Sequence, residues 1–503
     1  MTTTIKHGDV LPIEPENVPA GPDTFTSTSR SSLYFTWSFG YMFPELQNDP
    51  RNLLFVSRQT VEDLRRLGEQ GMEDPVGLND PDDRMAPGVP VPTIYTFFGQ
   101  FVDHDITLER GSMNIKLKDY PDPIDPDMLA RNIINSRSPN LDLDNVYGPD
   151  LDGRLAPRDN NNPDKLRVDK VQRDTTKRGL PPSKDIYNDL PRDEQGKAMI
   201  GDPRDDENVV LGQLHLAFLR AHNALVDRGL KFGEARKLLR QHYQWIVLDD
   251  FLERVADSNI VKKVRYHGPS FFNPSSKSLF MPLEFSVAAF RFGHSKVRLR
   301  YPNANRFQVS ADLETIFTNA GVPISADWVI DWTAFLTSED RNHFPRPIDT
   351  SLVKPLLHLN SAQIGPGDQE GNLAVRNLLR GYILRLPTGQ AVAKAMAPQG
   401  VIPLNREQIL SVGVNITDQN HILNESGFLE RTPLWFYILA EAAYYNRGYH
   451  LGPVGSTIVA EVLIGILRNS SDSIMNDPHW RPTLGTTPGK FDIEDLLKLA
   501  GVF

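Results

Sequence analysis

"FFGQFVDHDITL", residues 97–108, places Gln100, Asp103, His104 and Asp105 inside a run of aromatic and aliphatic residues. A stretch this apolar packs against something, and polar groups carried into a core need partners there. On a helix Gln100 and His104 stand at i and i+4 and point the same way, with Asp103 and Asp105 flanking that direction. Phe97, Phe98, Phe101, Val102 and Ile106 are left to pack the remaining surface. The segment reads as a buried helix with one polar edge. Its spacing leaves two readings equally open: a core histidine bonded to a nearby carboxylate, or a histidine turned toward a bound group.

The helical period continues outward from this stretch. "LGQLHLAFLRAHNALVDRGL" (211–230) sets Leu211, Leu214, Phe218 and Leu225 on one face, and "ARKLLRQHYQWIVLDDFLERVAD" (235–257) repeats the pattern through Leu238, Trp245, Leu248, Leu252 and Val255. "TPLWFYILAEAAYYNRG" (432–448) and "STIVAEVLIGILRN" (456–469) predict two more long helices, the second with Ser456 as N-cap. Strand-like alternation is scarce and no repeat of fixed period appears. Residues 119–202, rich in Pro, Asp, Asn and Arg, predict long ordered loops. The expected architecture is mainly α, a single large helical domain over 33–503 with little β, preceded by an extended, polar arm at 1–32.

Composition excludes several classes of function. The 503 residues are 40% hydrophobic, enough for a large core, and the net charge of −10 comes without any basic tail or stripe, so nucleic acid is not an expected partner. There are no cysteines, which removes disulfides, thiolate metal ligation, thiol catalysis and a disulfide-linked dimer. No run approaches the ~18 apolar residues of a membrane span, and the first residues lack a signal-peptide pattern. The expectation is a soluble protein, cytoplasmic by default or exported by a route without an N-terminal signal. Oligomeric state is not legible.

Three other stretches carry candidate chemistry. In "EFSVAAFRFGHSKVR" (284–298), His294 ends an apolar run with Arg291 at i−3. In "GDPRDDENVVLGQLH" (201–215), Arg204 and Glu207 stand three apart at a helix start, where capping and an ion pair would also account for them. In "SRSPNLDLDNVYG" (136–148), Ser138, Asn140, Asp142 and Asp144 alternate as oxygen donors, which suits a hard cation such as calcium as well as a solvated acidic turn.

Taken together and in this order, the G-Q-x-x-x-H-D and R-F-G-H elements resemble the animal-type haem peroxidases, with the likeness running from "FTWSFGYMFPEL" (35–46) to "FDIEDLLKLAG" (491–501) and suggesting a prokaryotic single-domain member. The resemblance implies His104 as distal histidine with Gln100 beside it, Arg204 as distal arginine, and His294 as the ligand of the haem iron. It implies Arg291 in the haem-binding set, Asn377 orienting the His294 imidazole, and Arg380 on a haem propionate. The family's Arg-Asp-His-Gly run is replaced here by Gly381-Tyr382-Ile383-Leu384. By the same resemblance, Asp103 and Glu207 form ester bonds to haem methyl groups, Asn208 takes the place of a sulfonium-forming Met, and Asp105 joins Ser138, Asn140, Asp142 and Asp144 around one calcium ion. The implied activity is reduction of hydrogen peroxide coupled to oxidation of a small donor, a phenol or other aromatic, a halide or thiocyanate.

Three rivals bear on the same residues. Fatty-acid oxygenases of the superfamily use a tyrosine three residues before the proximal His, and here that residue is Arg291. A metal-dependent phosphohydrolase of the His-Asp type would need His215 and His222 as further ligands. A haem-free scaffold would have no need of Arg204 and both histidines.

Overall fold

Phe98 and Phe101 decide how the first long helix packs. A computed structural model of the protein describes residues 11–12, 37–75, 91–111, 123–125, 133–148, 156–171, 188–274, 279–305, 310–336, 344–359, 371–413 and 415–503. Helix α1 (Ile94–Ile106) buries Phe101 flat against Phe218 of α2 (Val209–Asp227), with ring centroids 4.4 Å apart, and sets Phe98 edge-on to Phe251 at 5.6 Å. Each such ring pair contributes about 0.5–1.5 kcal/mol beyond the area it buries. On its other side Phe97 meets Tyr301 and Phe335. This helix is therefore buried on its aromatic faces, with Gly99, Gln100 and Asp103 left half-buried along one edge.

The expected helices form with shifted ends. Helix α2 starts at Val209, capped by the Asn208 side chain accepting from Leu211 N at 2.8 Å. The next run divides into α3 (Phe232–Trp245), a wide π turn at Ile246–Phe251 and a final turn at Leu252–Val255. Helix α4 (Ser258–His267) packs on α8 (Pro453–Asn469), and α6 (Leu373–Ile383) packs on α7 (Leu434–Asn446), while a short α5 (Leu313–Thr318) lies over the site described below. Ser456 is not an N-cap. Its helix begins at Pro453, one turn earlier, because Glu441 Oε2 accepts the first-turn donors Val454 N and Gly455 N at 2.8 and 3.4 Å. Ser456 is then free to bond Leu451 O and Asp257 N, each at 2.9 Å.

Helix makes up 53% and strand 7% of the described residues, so the mainly α expectation holds. Strand pairing is concentrated in one small sheet of order β1-β3-β4-β2-β5, built from Leu11–Pro12, Trp37–Gly40, Glu109–Gly111, Ile133–Asn135 and Phe280–Pro282. Leu11–Pro12 belongs to the expected arm and pairs with Arg110–Gly111; the rest of 1–32 lies outside the described residues, as do parts of 119–202. The sheet positions the site. Asn135, at the end of β4, donates to Ile106 O and accepts from Leu108 N, both at 2.8 Å, and so ties the end of α1 to the 136–148 loop. Among the described residues no helix is long and apolar enough to cross a membrane.

Candidate functional site

Gln100 and Asp103 on α1 border a cavity of about 360 Å³ that His294 and Arg291 also line, together with Leu313, Ile316 and Phe317 of α5. Gln100 is fixed by the α2 start: its Nε2 donates to Glu207 Oε1 at 2.7 Å, and its Oε1 accepts from Asn208 Nδ2 at 3.2 Å. Thr107 Oγ1 donates to Asp103 Oδ1 at 2.9 Å. Glu207 and Asn208 border the cavity as well, so three of the side chains expected around a haem converge there from α1 and from the turn that leads into α2.

The apolar run that carries Arg291 and His294 folds as a π turn (Glu284–Ala288), a 3-10 turn (Ala289–Phe292) and a short α turn (Gly293–Lys296). The irregular ladder has a use: the Ser286 carbonyl accepts from Arg291 Nε at 3.0 Å. Arg291 Nη1 donates to Asn377 Oδ1 at 2.6 Å, and Asn377 Nδ2 lies 2.9 Å from His294 Nδ1. Because a guanidinium only donates, it fixes the Asn377 oxygen toward Arg291 and the amide N–H toward the imidazole. Burial first, then Arg291 and Arg376, pushes His294 down to about 3, so its ring is neutral. A neutral imidazole bordering a cavity has the chemistry of an axial metal ligand in the tautomer whose proton sits on Nδ1, with the Asn377 oxygen turned to receive it. Burial likewise lowers Arg291 to about 10, with Asp103 opposing the shift.

His104 and Arg204 are not among the residues that border the cavity; they lie in the layer behind Asp103. His104 Nδ1 is 2.7 Å from Asp205 Oδ1, and the other oxygen of Asp205 meets His215 Nδ1 at 2.6 Å and Asn145 Nδ2 at 3.0 Å. Burial works against the Asp205 charge, but the bonds to His104 and His215 outweigh it and hold the carboxyl below its ordinary range. Arg204 pairs with Asp202 through Nη2 at 2.7 Å and donates to Thr107 O at 2.6 Å. Burial again opposes the Asp202 charge, and Arg137 and Arg204 together hold that carboxyl far down. Arg380 does not border the cavity; it pairs with Glu109 at the start of β3, while Arg376, one turn earlier on α6, does border it.

The 136–148 loop brings Asp105, Asp142 and Asp144 together under cover. Burial raises all three: Asp105 to about 8, with Asp144 adding to it, and Asp142 and Asp144 in the same direction. Asp144 N donates to Asp105 Oδ1 at 2.6 Å, and Ser138 Oγ accepts from Asn140 Nδ2 at 2.7 Å. Asp105 Oδ2, Asp142 Oδ1 and Asn140 Oδ1 are buried without a hydrogen-bond partner. Among the described residues, no three His, Asp or Glu side chains are disposed to hold a metal ion.

Sequence reasoning missed Arg376, Tyr95 and Trp435. Trp435 Nε1 donates to Arg291 O at 3.2 Å and its ring stands 6.4 Å from that of His294. The ligand pair required by a phosphohydrolase does not form: His215 is bound to Asp205, and His222 to Tyr147 Oη at 2.9 Å and Asp164 O at 3.0 Å.

Comparison with known proteins follows the same residues. Positions 118–326 match the model of the animal haem peroxidases, a stretch holding the 136–148 loop, Arg204, Glu207, Arg291 and His294 but neither α1 nor α6. A peroxidase-like protein of Margaritifera margaritifera is 35% identical over 111 residues, 20% of this chain and 14% of that one. Human thyroid peroxidase is 30% identical over 132 residues, 24% of this chain and 14% of its own. The matched stretch thus spans about one-seventh of these relatives' length. Peroxidase A from Dictyostelium discoideum superposes with a TM-score of 0.55 over 88% of this chain and 89% of its own, at 16% identity, and so shares the fold.

Proposed function

We propose that this chain, which carries the animal haem peroxidase match and a peroxidase fold, is a haem peroxidase that reduces hydrogen peroxide and oxidises a small donor such as a phenol, a halide or thiocyanate. One observation carries the reading: a single cavity lined by neutral His294, braced by Asn377 and Arg291, together with Gln100, Asp103 and Glu207. The residues present fit a haem. His294 would ligate the iron, Arg291 and Arg376 bring positive charge for propionates, and Asp103 and Glu207 stand where ester bonds to the ring would form. Bound there, haem supplies the redox chemistry, taking two electrons to peroxide and recovering them from a donor.

The protein's part is proton handling and electrostatics. Asp205 holds His104 through Nδ1, and in this reading the acid–base work on peroxide falls to His104, which stands next to the cavity-lining Asp103 on α1. Such a positioned group is worth about 10²–10⁴ in rate. Arg204 and Arg137 share the single charge of Asp202, so one net positive charge stands behind Asp103 to stabilise negative charge developing on oxygen. An oxygenase route through a tyrosine three residues before His294 finds no support, since that residue is Arg291 and is tied to Asn377. Calcium belongs to the same reading. Its support is the loop's orphaned oxygens on Asp105, Asn140 and Asp142, with Ser138 and Asp144 completing the set.

An absorption spectrum of the purified, haem-reconstituted protein before and after hydrogen peroxide tests the reading. A strong Soret band that shifts with peroxide is the expected result; absence of any Soret band would overturn it. The ester assignment is checked by acid-solvent extraction: haem is retained in the wild type after peroxide turnover and released from Asp103→Val with Glu207→Gln. For calcium, a chelator lowers the melting temperature of the wild type and leaves Asp105→Asn unmoved.

A further inference from the structure

Tyr95 borders the same cavity as His294 and Gln100, and among the described residues lining it Tyr95 is the one phenol, with no tryptophan. Its hydroxyl is turned outward and donates to Asp250 Oδ2 at 2.6 Å. Asp250 Oδ2 also accepts from Ile493 N at 3.3 Å, and Asp250 Oδ1 from Arg254 Nε at 2.6 Å. The Arg254 guanidinium lies 4.7 Å over the Tyr95 ring, and the side chain reaches partial exposure. A path of direct contacts therefore leads from the cavity through a phenol and a carboxylate to a cation at the surface.

We propose, on the reading of the site given above, that Tyr95 is a redox-active catalytic residue that yields an electron to the oxidised haem and its phenolic proton to Asp250. Hydrogen peroxide, with two electrons from the loaded site and two protons, leaves as two waters. Tyr95 returns one of those electrons. Its O–H bond breaks, the proton crosses the 2.6 Å bond to Asp250 Oδ2, and a neutral phenoxyl radical remains beside a protonated carboxyl. An external one-electron donor, a phenol or aromatic amine, restores the electron to the phenoxyl while the proton returns from Asp250 to oxygen, and a second donor molecule supplies the other electron owed to the site.

Two features make this phenol suited to the task. The carboxylate is already within proton-transfer distance, so no group need move. Burial first, then the nearby Asp250 charge, holds the Tyr95 hydroxyl firmly protonated, so electron and proton must leave together. The phenylalanines that line the cavity lack any such handle.

The test is freeze-quenched electron paramagnetic resonance of the haem-loaded protein mixed with hydrogen peroxide. The expected signal is an organic radical that narrows when the protein is made with ring-deuterated tyrosine and disappears in Tyr95→Phe. Asp250→Asn, which keeps an acceptor oxygen but is a far weaker base, is expected to cut its yield about tenfold or more. Tyr95→Phe removes one oxygen and leaves Asp250 held by Arg254 and Ile493, and the isotope experiment needs no substitution at all. A signal unchanged in Tyr95→Phe, indifferent to tyrosine deuteration, or lost instead in Trp435→Phe would overturn the assignment while leaving the peroxidase reading intact. Haem that loads but gives no spectral change with peroxide would overturn both.

Discussion

Asn377 shows how one side chain sets the character of a site it does not itself perform chemistry in. Arg291 has only donors, so it claims the Asn377 oxygen and leaves the amide N–H for His294 Nδ1. With Nδ1 accepting, the neutral ring carries its proton on Nε2, so ligation of iron through Nε2 requires that proton to move to Nδ1 and the Asn377 amide to turn its oxygen to the ring. Removing the amide frees the ring to rotate and leaves a buried guanidinium without that acceptor. Asn377→Ala is expected to weaken haem retention about 10–100-fold, measured as the rate at which the holoprotein passes haem to an excess of acceptor apoprotein. Wild-type retention in this variant would show that the imidazole is held by packing alone, for which Trp435 is the neighbouring ring.

At the scale of elements, the two loops behind α1 act as one unit. The 201–206 segment lies directly on the 136–148 loop: Asp202 N donates to Asn145 O at 2.9 Å, and Arg137 Nη2 donates to Gly201 O at 2.9 Å. A Cβ built at Gly201 would stand 2.5 Å from both Asn145 O and Asp144 O, which are backbone atoms with no freedom to retreat. Gly201→Ala therefore has to part the loops. It is expected to cost about 1–3 kcal/mol in denaturant unfolding and to disturb Asp202, the anchor of Arg204. What the sequence could and could not reveal divides along this line. That Gln100, Glu207 and His294 belong to one site was legible only through the resemblance of their short motifs to a known family, since spacing alone left capping or core packing equally open. The acidic partner of His104 was expected, yet Asp205 comes from a segment 101 residues on, and no local pattern links them. Arg376 and Arg380 share one face of α6 but stand a turn apart along its axis, so Arg376 borders the cavity while Arg380 meets Glu109 on β3, a contact that only the assembled sheet creates. Ser456 was misjudged for a similar reason, since a carboxylate from α7 took over the capping.

Across the whole molecule, the far end of the chain is fastened back onto the helical core by side chains that must remain uncharged. His242 on α3 donates through Nδ1 to Leu238 O at 2.7 Å, while its Nε2 accepts from Thr483 N at 2.9 Å and Leu484 N at 3.2 Å. Phe491 and Trp480 enclose the ring, with centroids 4.8 and 5.3 Å away. Protonating Nε2 would set an N–H against two others, and burial, the largest cause, pushes this imidazole down to about 4 from 6.5. The folded pKa lies below the unfolded one, so the unfolded chain binds the proton first. The stabilisation is complete above pH ~6.5 and is lost as the pH falls toward about 4, worth about 3 kcal/mol in full. His222, also lowered to about 4 by burial, adds to the loss over the same window. His242→Gln removes the titrating ring and with it that share of the pH dependence. Thermal unfolding from pH 7 to 4 should then show a variant weaker than wild type at neutral pH and converging with it in acid. Parallel curves would mean that the ring titrates normally and that the 483–484 segment is held by Phe491 and Trp480 alone.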